Sequence, residues 1–233
     1  MNVLSLFDGM SCGQIALKEL NIFIDTYYAS EIDRFAIAQT QLNFPNTIQI
    51  GDVKKVNVLD LQPIDLLIGG GSPCTNLSFA GTRKGLCTKE NIEIVSLEQY
   101  LGLKEQGFEF EGQSYLFWEY MRILTEIREY NPNVLFLLEN VEMGKKWESV
   151  FSKAIGTKGI HINSSLVSAQ NRKRVYWTNI DGGNIPQPKD KGLFLRDILE
   201  DEVDEHFFLK RLLKGSNFTR KETKKKGMDL ART

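Results

Sequence analysis

Up to about Thr178, short apolar runs alternate with stretches in which apolar residues recur every three or four positions. A short apolar run buries both faces of a strand, whereas the longer spacing gives a helix one apolar stripe. Their alternation predicts βαβ units around a mostly parallel sheet, an α/β fold. Strands are predicted at 3–7, 26–30, 48–50, 65–68 and 134–139, with two later runs at 160–167 and 175–178 joined by a polar loop. Helices are predicted at 13–20, 34–43 and 114–130. In the last of these, Leu116, Phe117, Tyr120, Met121, Leu124 and Ile127 fall on one face, which reads as core. Residues 82–113, with their glycines and mixed charges, read as a long excursion rather than core. After Ile180 the texture changes. Asp181-Gly182-Gly183-Asn184 with Pro186 and Pro188 predicts a turn-rich linker, followed by an acidic helical segment at 195–205 and a basic stretch at 210–226. The expected organisation is one domain over 1–180 and a linker with a rudimentary or truncated segment over 181–233.

Composition narrows the classes. A chain of 233 residues with 42% hydrophobic and 25% charged residues supports one sizeable core and excludes a disordered or fibrous chain. Lys and Arg number 29 against 30 Asp and Glu, a net charge of −1, so contact with nucleic acid would have to come from local basic patches. Cys12, Cys74 and Cys87 form no Cys-x-x-Cys pair, which argues against a disulfide framework and a structural zinc site and fits a reducing cytoplasm. His161 and His206, far apart in sequence, disfavour His-dependent nucleophilic catalysis and a metal centre. The apolar start lacks the basic lead of a secretory leader, and no apolar run approaches the roughly 20 residues of a membrane helix.

Candidate chemistry collects at predicted strand ends. Phe7-Asp8-Gly9-Met10-Ser11-Cys12-Gly13 is a glycine-bearing turn from strand to helix, where backbone N–H groups can meet a polar ligand. It reads equally as a plain tight turn, because its spacing is not that of dinucleotide binders. Glu31 ends the second strand about twenty residues on, where a nucleotide-binding unit places the carboxylate for ribose hydroxyls. Asp52 follows the third strand. Each acid alone could be a helix cap or a loop charge, but three aligned strand ends favour a shared site.

Ile68-Gly69-Gly70-Gly71-Ser72-Pro73-Cys74-Thr75-Asn76-Leu77-Ser78 shapes an exposed loop in which Cys74 is either a nucleophile or an inert small hydrophobe. Glu139-Asn140-Val141 closes an all-apolar strand, so Glu139 is expected to be partly desolvated, with a raised pKa suited to proton donation. A capping acid is the alternative. Gln170-Asn171-Arg172-Lys173-Arg174 sets alternating arginines on an entering strand, suited to a phosphate or a carbonyl, or simply a solvated charge run.

Taken together, over about residues 3–200, these motifs resemble the DNA (cytosine-5) methyltransferases, closest in form to the de novo eukaryotic branch and its bacterial and phage relatives. The turn at 7–13 is similar to the S-adenosylmethionine loop of that family, Glu31 to its ribose acid and Asp52 to its adenine-binding acid. Pro73-Cys74 resembles its catalytic loop, Glu139-Asn140-Val141 its Glu-Asn-Val motif, and Gln170-x-Arg172-x-Arg174 its Gln-x-Arg-x-Arg motif. The resemblance implies a Rossmann-like methyltransferase fold with a mostly parallel central sheet, with S-adenosyl-L-methionine held by Phe7, Asp8, Gly9, Gly13, Glu31, Ile32, Asp52, Val53 and Pro73. It implies that Cys74 adds to carbon 6 of a flipped cytosine and that Glu139 protonates ring nitrogen 3. Arg172 would contact the base carbonyl, and Arg174 would support the loop or a phosphate. Double-stranded DNA is the implied partner, and a bacterial or phage-infected cytoplasm the implied setting. The loop after Cys74, with Arg83 and Lys84, is a candidate for closing over DNA, with Gly81 and Gly85 allowing movement.

The family continues past a segment like Leu195-Arg196-Asp197-Ile198-Leu199-Glu200 into target recognition and two closing motifs, whereas 201–233 carry no second apolar core. A pared-down or truncated enzyme is therefore expected, with a protein partner or oligomer compensating for the short C-terminal region. Two alternatives stay open. A non-catalytic relative would bind cofactor, DNA or an active partner without turnover. An unrelated nucleotide-binding oxidoreductase would account for the Gly9 turn and Glu31, but would leave Cys74, Glu139 and Arg172 without a common role.

Overall fold

The computed structural model describes residues 1–78, 81 and 84–200. Among these residues, seven strands form one sheet: β1 (Asn2–Leu6), β2 (Thr26–Ser30), β3 (Ile48–Gln49), β4 (Leu66–Gly69), β5 (Leu135–Val141), β6 (Ile160–Asn163) and β7 (Lys173–Thr178). Their order is β3-β2-β1-β4-β5-β7-β6, and the pairings from β3 through β5 are all parallel. Five helices accompany them: α1 (Cys12–Glu19), α2 (Arg34–Asn43), α3 (Leu97–Glu105), α4 (Phe117–Tyr130) and α5 (Lys145–Ile155). All the predicted strands and the three predicted helices are present to within a few residues. The run expected as one strand at 160–167 instead stops at Asn163, whose side chain accepts from the Ser165 N–H and caps a 3-10 turn over Ser164–Leu166.

The chain divides into two compact units, Met1–His161 with Val175–Ile185, and Ile162–Arg174 with, among the described residues, 186–200. In the first unit, helices cover the sheet on two sides. On one, Leu17 of α1 packs with Val3, Tyr27, Ala29 and Leu66. On the other, α4 presents Phe117, Trp118, Tyr120, Leu124 and Ile127, each fully buried. The aromatic stripe read as core is core. Phe117 stacks on Phe151 of α5 with ring centroids 3.7 Å apart, and Phe151 meets Trp177 of β7 at 5.3 Å.

Helices α3 and α5 have no counterpart among the predicted helices. The apolar face of α5, Trp147, Phe151 and Ile155, is buried at a spacing of four, between solvated Lys145, Lys146 and Lys153. In α3 only Tyr100 is fully buried, so its helical form comes from the Ser96 cap and from packing on α4.

In the second unit, Asn163 Oδ1 accepts from Arg172 N–H at 3.0 Å, and Ser164 N–H donates to the Arg172 carbonyl at 3.0 Å, closing the 163–172 loop. The acidic helix expected at 195–205 is, among the described residues, one 3-10 turn over Leu195–Asp197. Ile198 and Leu199 stay exposed, and without a buried face a short helix lacks the packing that would stabilise it. The rest of that segment and the basic stretch at 210–226 lie outside the described residues.

One buried ionic cluster ties α3 and α4 to the turn after β3. Glu119, fully buried, accepts from Tyr100 Oη at 2.5 Å, Lys104 Nζ at 2.5 Å and Arg122 Nε at 2.7 Å. Arg122 also donates to the carbonyls of Val53 at 3.3 Å and Val56 at 3.1 Å. Burial opposes ionisation of Glu119, but the bonds from Lys104, Tyr100 and Arg122 outweigh it and hold the carboxyl below the usual carboxylate range. Removing Arg122 leaves a buried charge short of a partner, so Arg122→Ala should lower unfolding free energy by about 3–5 kcal/mol in urea denaturation. A carboxyl with a depressed folded pKa stabilises above its unfolded pKa and loses that contribution as pH falls through the folded value. The deficit of Glu119→Gln relative to wild type should therefore be full at neutral pH and shrink below about pH 4. A deficit independent of pH would show that Glu119 contributes shape rather than charge.

Candidate functional site

The strand order reverses beside β1, which is followed by β2 on one side and flanked by β4 on the other, so a crevice opens at the carboxyl edge. There lies a cavity of about 330 Å³ lined by Phe7, Glu31, Ile32, Asp52, Val53 and Pro73, six of the nine residues expected to hold a cofactor. Glu31 keeps its carboxylate in place through backbone donors. Oε2 accepts from Gly9 N–H at 2.8 Å, and Oε1 accepts from Ile32 N–H at 2.7 Å and Asp33 N–H at 2.9 Å. Each carboxylate oxygen offers about two acceptor positions, so Oε2 retains one for a ligand hydroxyl. Asp52 Oδ1 caps the following turn through Lys54 N–H at 3.0 Å, and Oδ2 lies 3.4 Å from Lys54 Nζ.

Asp8, Gly9 and Gly13 do not line the cavity; they build its support. Asp8 is buried and accepts from Tyr27 Oη at 2.9 Å and from Ser11 Oγ. Burial, then the charge of Asp8, push the Tyr27 phenol far up, so it stays a donor. Gly13 lets α1 close on the sheet, because a Cβ there would stand 2.9 Å from Tyr27 Oη and 3.2 Å from Ile68 Cδ1. The expectation that this turn offers free N–H groups is corrected at three positions: Asp8 N–H goes to Ser30, Ser11 N–H to Asp8 and Gly9 N–H to Glu31. The turn binds inward and presents Glu31.

The Cys74 loop leaves β4 under close constraint. A Cβ on Gly69 would fall 2.6 Å from Leu138 and 2.8 Å from Tyr120, and one on Gly70 would fall 2.9 Å from the Phe7 carbonyl. Gly71 has φ +99°, and a Cβ there would lie 2.9 Å from Glu139 Oε2. Next to Glu139, Asn140 Nδ2 donates to Ser72 Oγ at 2.9 Å and to the Ser72 carbonyl at 3.2 Å, with both residues buried. The end of β5 is thus bolted to the loop two residues before Cys74. Cys74 is half-buried, and its carbonyl accepts from Leu77 and Ser78 N–H at 2.9 Å each.

The glycines expected to give this loop mobility serve contact instead. A Cβ on Gly81 would collide with the Thr75 carbonyl, and one on Gly85 would collide with the Trp147 ring. Lys84 pairs with Glu111 at 2.8 Å, and Arg83 lies outside the described residues. Arg172 and Arg174 belong to the second unit. Arg172 is exposed, and Arg174 is half-buried with Nη1 donating to the Lys173 carbonyl at 2.7 Å.

Several lining residues lie outside the predicted cofactor set: Gly71 within the cysteine-loop motif, and Ser30, Gly51, Lys54, Gln113, Tyr115 and Leu116. Most adjoin a motif and could be found as its neighbours. Gln113, Tyr115 and Leu116 come from the end of the excursion and the start of α4, and only the fold brings them to Asp52.

Residues 1–99 match the family described as C-5 cytosine-specific DNA methylase. The chain is 29% identical over 229 residues to the type II methyltransferase M.Bsp6I of Bacillus sp. (strain RFL6), covering 89% of this chain and 64% of that protein. It is 28% identical over 263 residues to the orphan methyltransferase M.Rho11sI of Bacillus phage rho11s, covering 90% and 45%. A crystal structure of S. pombe Dnmt2 methyltransferase shares the fold with a TM-score of 0.57 at 17% identity, covering 88% of this chain and 62% of that one. The chain therefore spans about half to two thirds of the length of these relatives.

Gly71→Ala combines an unfavourable φ with a contact on Glu139, whereas a Cβ on Gly9, at φ +59°, would meet nothing within 4 Å. In urea denaturation Gly71→Ala should lose about 2–3 kcal/mol and Gly9→Ala about 1 kcal/mol. Equal losses would mean that Glu139 yields to the methyl group and is not held against the loop.

Proposed function

We propose that the chain is an S-adenosylmethionine-dependent DNA (cytosine-5) methyltransferase, complete or represented by its catalytic portion. The observation that carries this reading is the bolt between loop and strand: Gly71 against Glu139, and Ser72 hydrogen-bonded to Asn140, set a cysteine loop and a carboxylate at one sheet edge beside a cavity with two acids.

The cavity fits the cofactor by its donor set. Glu31 has acceptor capacity left for ribose hydroxyls, Asp52 can accept from an exocyclic amine, and Phe7, Ile32, Val53 and Leu116 offer apolar walls to a flat base. Bound there, S-adenosylmethionine would supply an electrophilic methyl sulfonium. The remaining chemistry falls to the chain. Cytosine is not nucleophilic at carbon 5, but a thiolate from Cys74 adding to carbon 6 turns the ring into an enamine whose carbon 5 is. Glu139 delivers a proton to ring nitrogen 3 as the sulfur–carbon bond forms, so negative charge does not accumulate on the base. Once carbon 5 carries the methyl group, loss of the carbon-5 proton, return of the nitrogen-3 proton to Glu139 and departure of the Cys74 thiolate restore the aromatic ring as 5-methylcytosine. Arg172 and Arg174, carried by the second unit, are the proposed partners of the base carbonyl and of the loop or a phosphate.

A stacked base is out of reach of Cys74, so the substrate is double-stranded DNA with the cytosine flipped out, at a cost of a few kcal/mol. Among the described residues no helix is long and apolar enough to cross a membrane, and the bacterial and phage relatives support a cytoplasmic setting. The length of the chain relative to those relatives favours a second reading, in which a protein partner or a second copy completes the enzyme, or the chain binds without turnover.

Incubation with methyl-labelled S-adenosylmethionine and duplex DNA should give label transfer by wild type and none by Cys74→Ser. Duplex containing 5-fluorocytosine should become covalently attached to wild type only, because fluorine cannot leave as the proton does. Equal transfer by both proteins would remove Cys74 from the chemistry, and cofactor binding with no transfer by either would support the second reading. Glu31→Ala should weaken calorimetric binding of S-adenosylhomocysteine by about tenfold or more, the scale of hydrogen bonds to a charged group.

A further inference from the structure

The turn that carries Cys74 is fastened to a segment that the motif pattern leaves without a role. Asn76 is 4% exposed, and its backbone and side chain both reach residues 85–114. Its N–H donates to Ser114 Oγ at 3.1 Å, its side-chain Nδ2 donates to the Glu111 carbonyl at 3.1 Å, and its carbonyl accepts from Gly85 N–H at 2.8 Å. Gly112, at φ +62°, closes on the same amide so tightly that a Cβ would lie 2.7 Å from Nδ2. Ser114 is fully buried. A buried amide is costly unless its hydrogen bonds are made, so these contacts leave Asn76 little freedom.

The segment that grips Asn76 is also a wall of the cavity. Gln113, Tyr115 and Leu116 line it, flanking Ser114 directly. The wall is stiffened from behind: Tyr115 stacks on Phe110 at 4.7 Å, Phe110 meets Tyr100 at 5.0 Å, and the Tyr100 hydroxyl donates to buried Glu119. Toward the other side, Cys74 is two residues from Asn76, in a turn closed by its carbonyl accepting from Leu77 and Ser78. A displacement of 113–116 thus reaches the Cys74 turn through one short covalent and hydrogen-bonded path.

We propose that Asn76 is a positioning residue: held by Ser114 and Glu111, it sets the Cys74 turn by the 113–116 wall, so that filling the cofactor cavity and presenting the thiol are coupled. The inference rests on the reading of the cavity as the cofactor site and of Cys74 as the nucleophile. Coupling of this kind is reciprocal, so a ligand that restrains the wall also binds more tightly when Cys74 is engaged.

The test uses the full chain as Asn76→Ala, Ser114→Ala and Ser114→Thr, the last keeping the hydroxyl that accepts from Asn76. At saturating cofactor, methyl transfer and trapping on 5-fluorocytosine DNA should fall about fivefold in the two alanine variants, with KM for S-adenosylmethionine changed less than about twofold, and Ser114→Thr should recover most of the rate. Alkylation of Cys74 by iodoacetamide, followed by mass spectrometry with exposed Cys12 as the internal standard, reads the thiol without any turnover. S-adenosylhomocysteine should change the Cys74 rate in wild type and lose that effect in Asn76→Ala, leaving Cys12 unaltered. Wild-type rate, trapping and Cys74 alkylation in both alanine variants, with only a lower melting temperature, would overturn the proposal and leave Asn76 a packing residue. If wild type neither binds S-adenosylhomocysteine nor traps DNA, the proposed function fails. The positioning role then stands or falls on whether Asn76→Ala or Ser114→Ala shifts the Cys74:Cys12 alkylation ratio of the free chain. Should Asn76→Ala not fold, the Ser114 pair carries the same comparison.

Discussion

The reversal of strand order beside β1 is the constraint from which the site follows. Parallel pairing in register, Leu6 with Ser30 and with Gly69, and Gly69 with Leu138, brings the ends of β1, β2 and β4 level with Leu138, from which β5 runs on to Val141. Phe7, Glu31 and Gly70 therefore leave the sheet beside Glu139 of β5, although the four are spread over more than half of the sequence. The chain before the reversal supplies the cavity with its acids, and the chain after it supplies the cysteine loop and the second carboxylate. A slip of one residue in any pairing would turn these groups into the sheet and bring core residues to the edge.

At each of the three consecutive glycines at the end of β4, the space a side chain would take is already filled. Gly69 admits the ring of Tyr120, Gly70 the carbonyl of Phe7 and Gly71 the carboxylate of Glu139. Each lacks a side chain because something else occupies the space. The same holds for Gly85 under the Trp147 ring. A cysteine loop built this way starts from a fixed geometry.

Much of this was legible in the sequence, because buried parallel strands and an amphipathic helix such as α4 carry strong periodic signals. Residues 26–30 and 34–43 fall where expected to the residue. What escaped has physical causes. In α5 the apolar residues Trp147, Phe151 and Ile155 are diluted by lysines that sit on the solvated face, so the stripe is visible only when counted at a spacing of four. In α3 the stripe is short: Tyr100 is buried, Leu97 and Leu101 are only partly so, and the helix is held as much by its cap and its neighbour. The segment 82–113, expected to lie outside the core, in fact supplies Leu86, Ile94 and Tyr100 to it; they come from loop stretches and from α3 rather than from one periodic element, along a path that depends on Asn76, Gly112 and Ser114. The wall it forms, Gln113 to Leu116, was accordingly the least legible part of the site.

Among the acids, sequence placed Asp8 and Glu31 in the same role, and the hydrogen bonds separate them. Asp8 is buried with one oxygen on Tyr27 and the other on Ser11, both neutral hydroxyl donors fixed by their own elements. Its acceptor capacity goes to joining α1 to β2. Glu31 is held by three backbone N–H groups that approach from its own turn and from Gly9, which fixes the carboxylate while leaving it half-exposed at the cavity. Backbone donors hold an acid without enclosing it, whereas hydroxyl-bearing side chains cover it. That difference decides which carboxylate can still meet a ligand, and the motif cannot express it, because both residues are acids just past a strand. Asp8 acts indirectly: by anchoring Tyr27, it sets the distance between α1 and the sheet at Gly13, and with it the turn whose Gly9 N–H points at Glu31. The glycine turn and the strand-end acid are therefore one structural unit, and a substitution at either is felt at the same carboxylate.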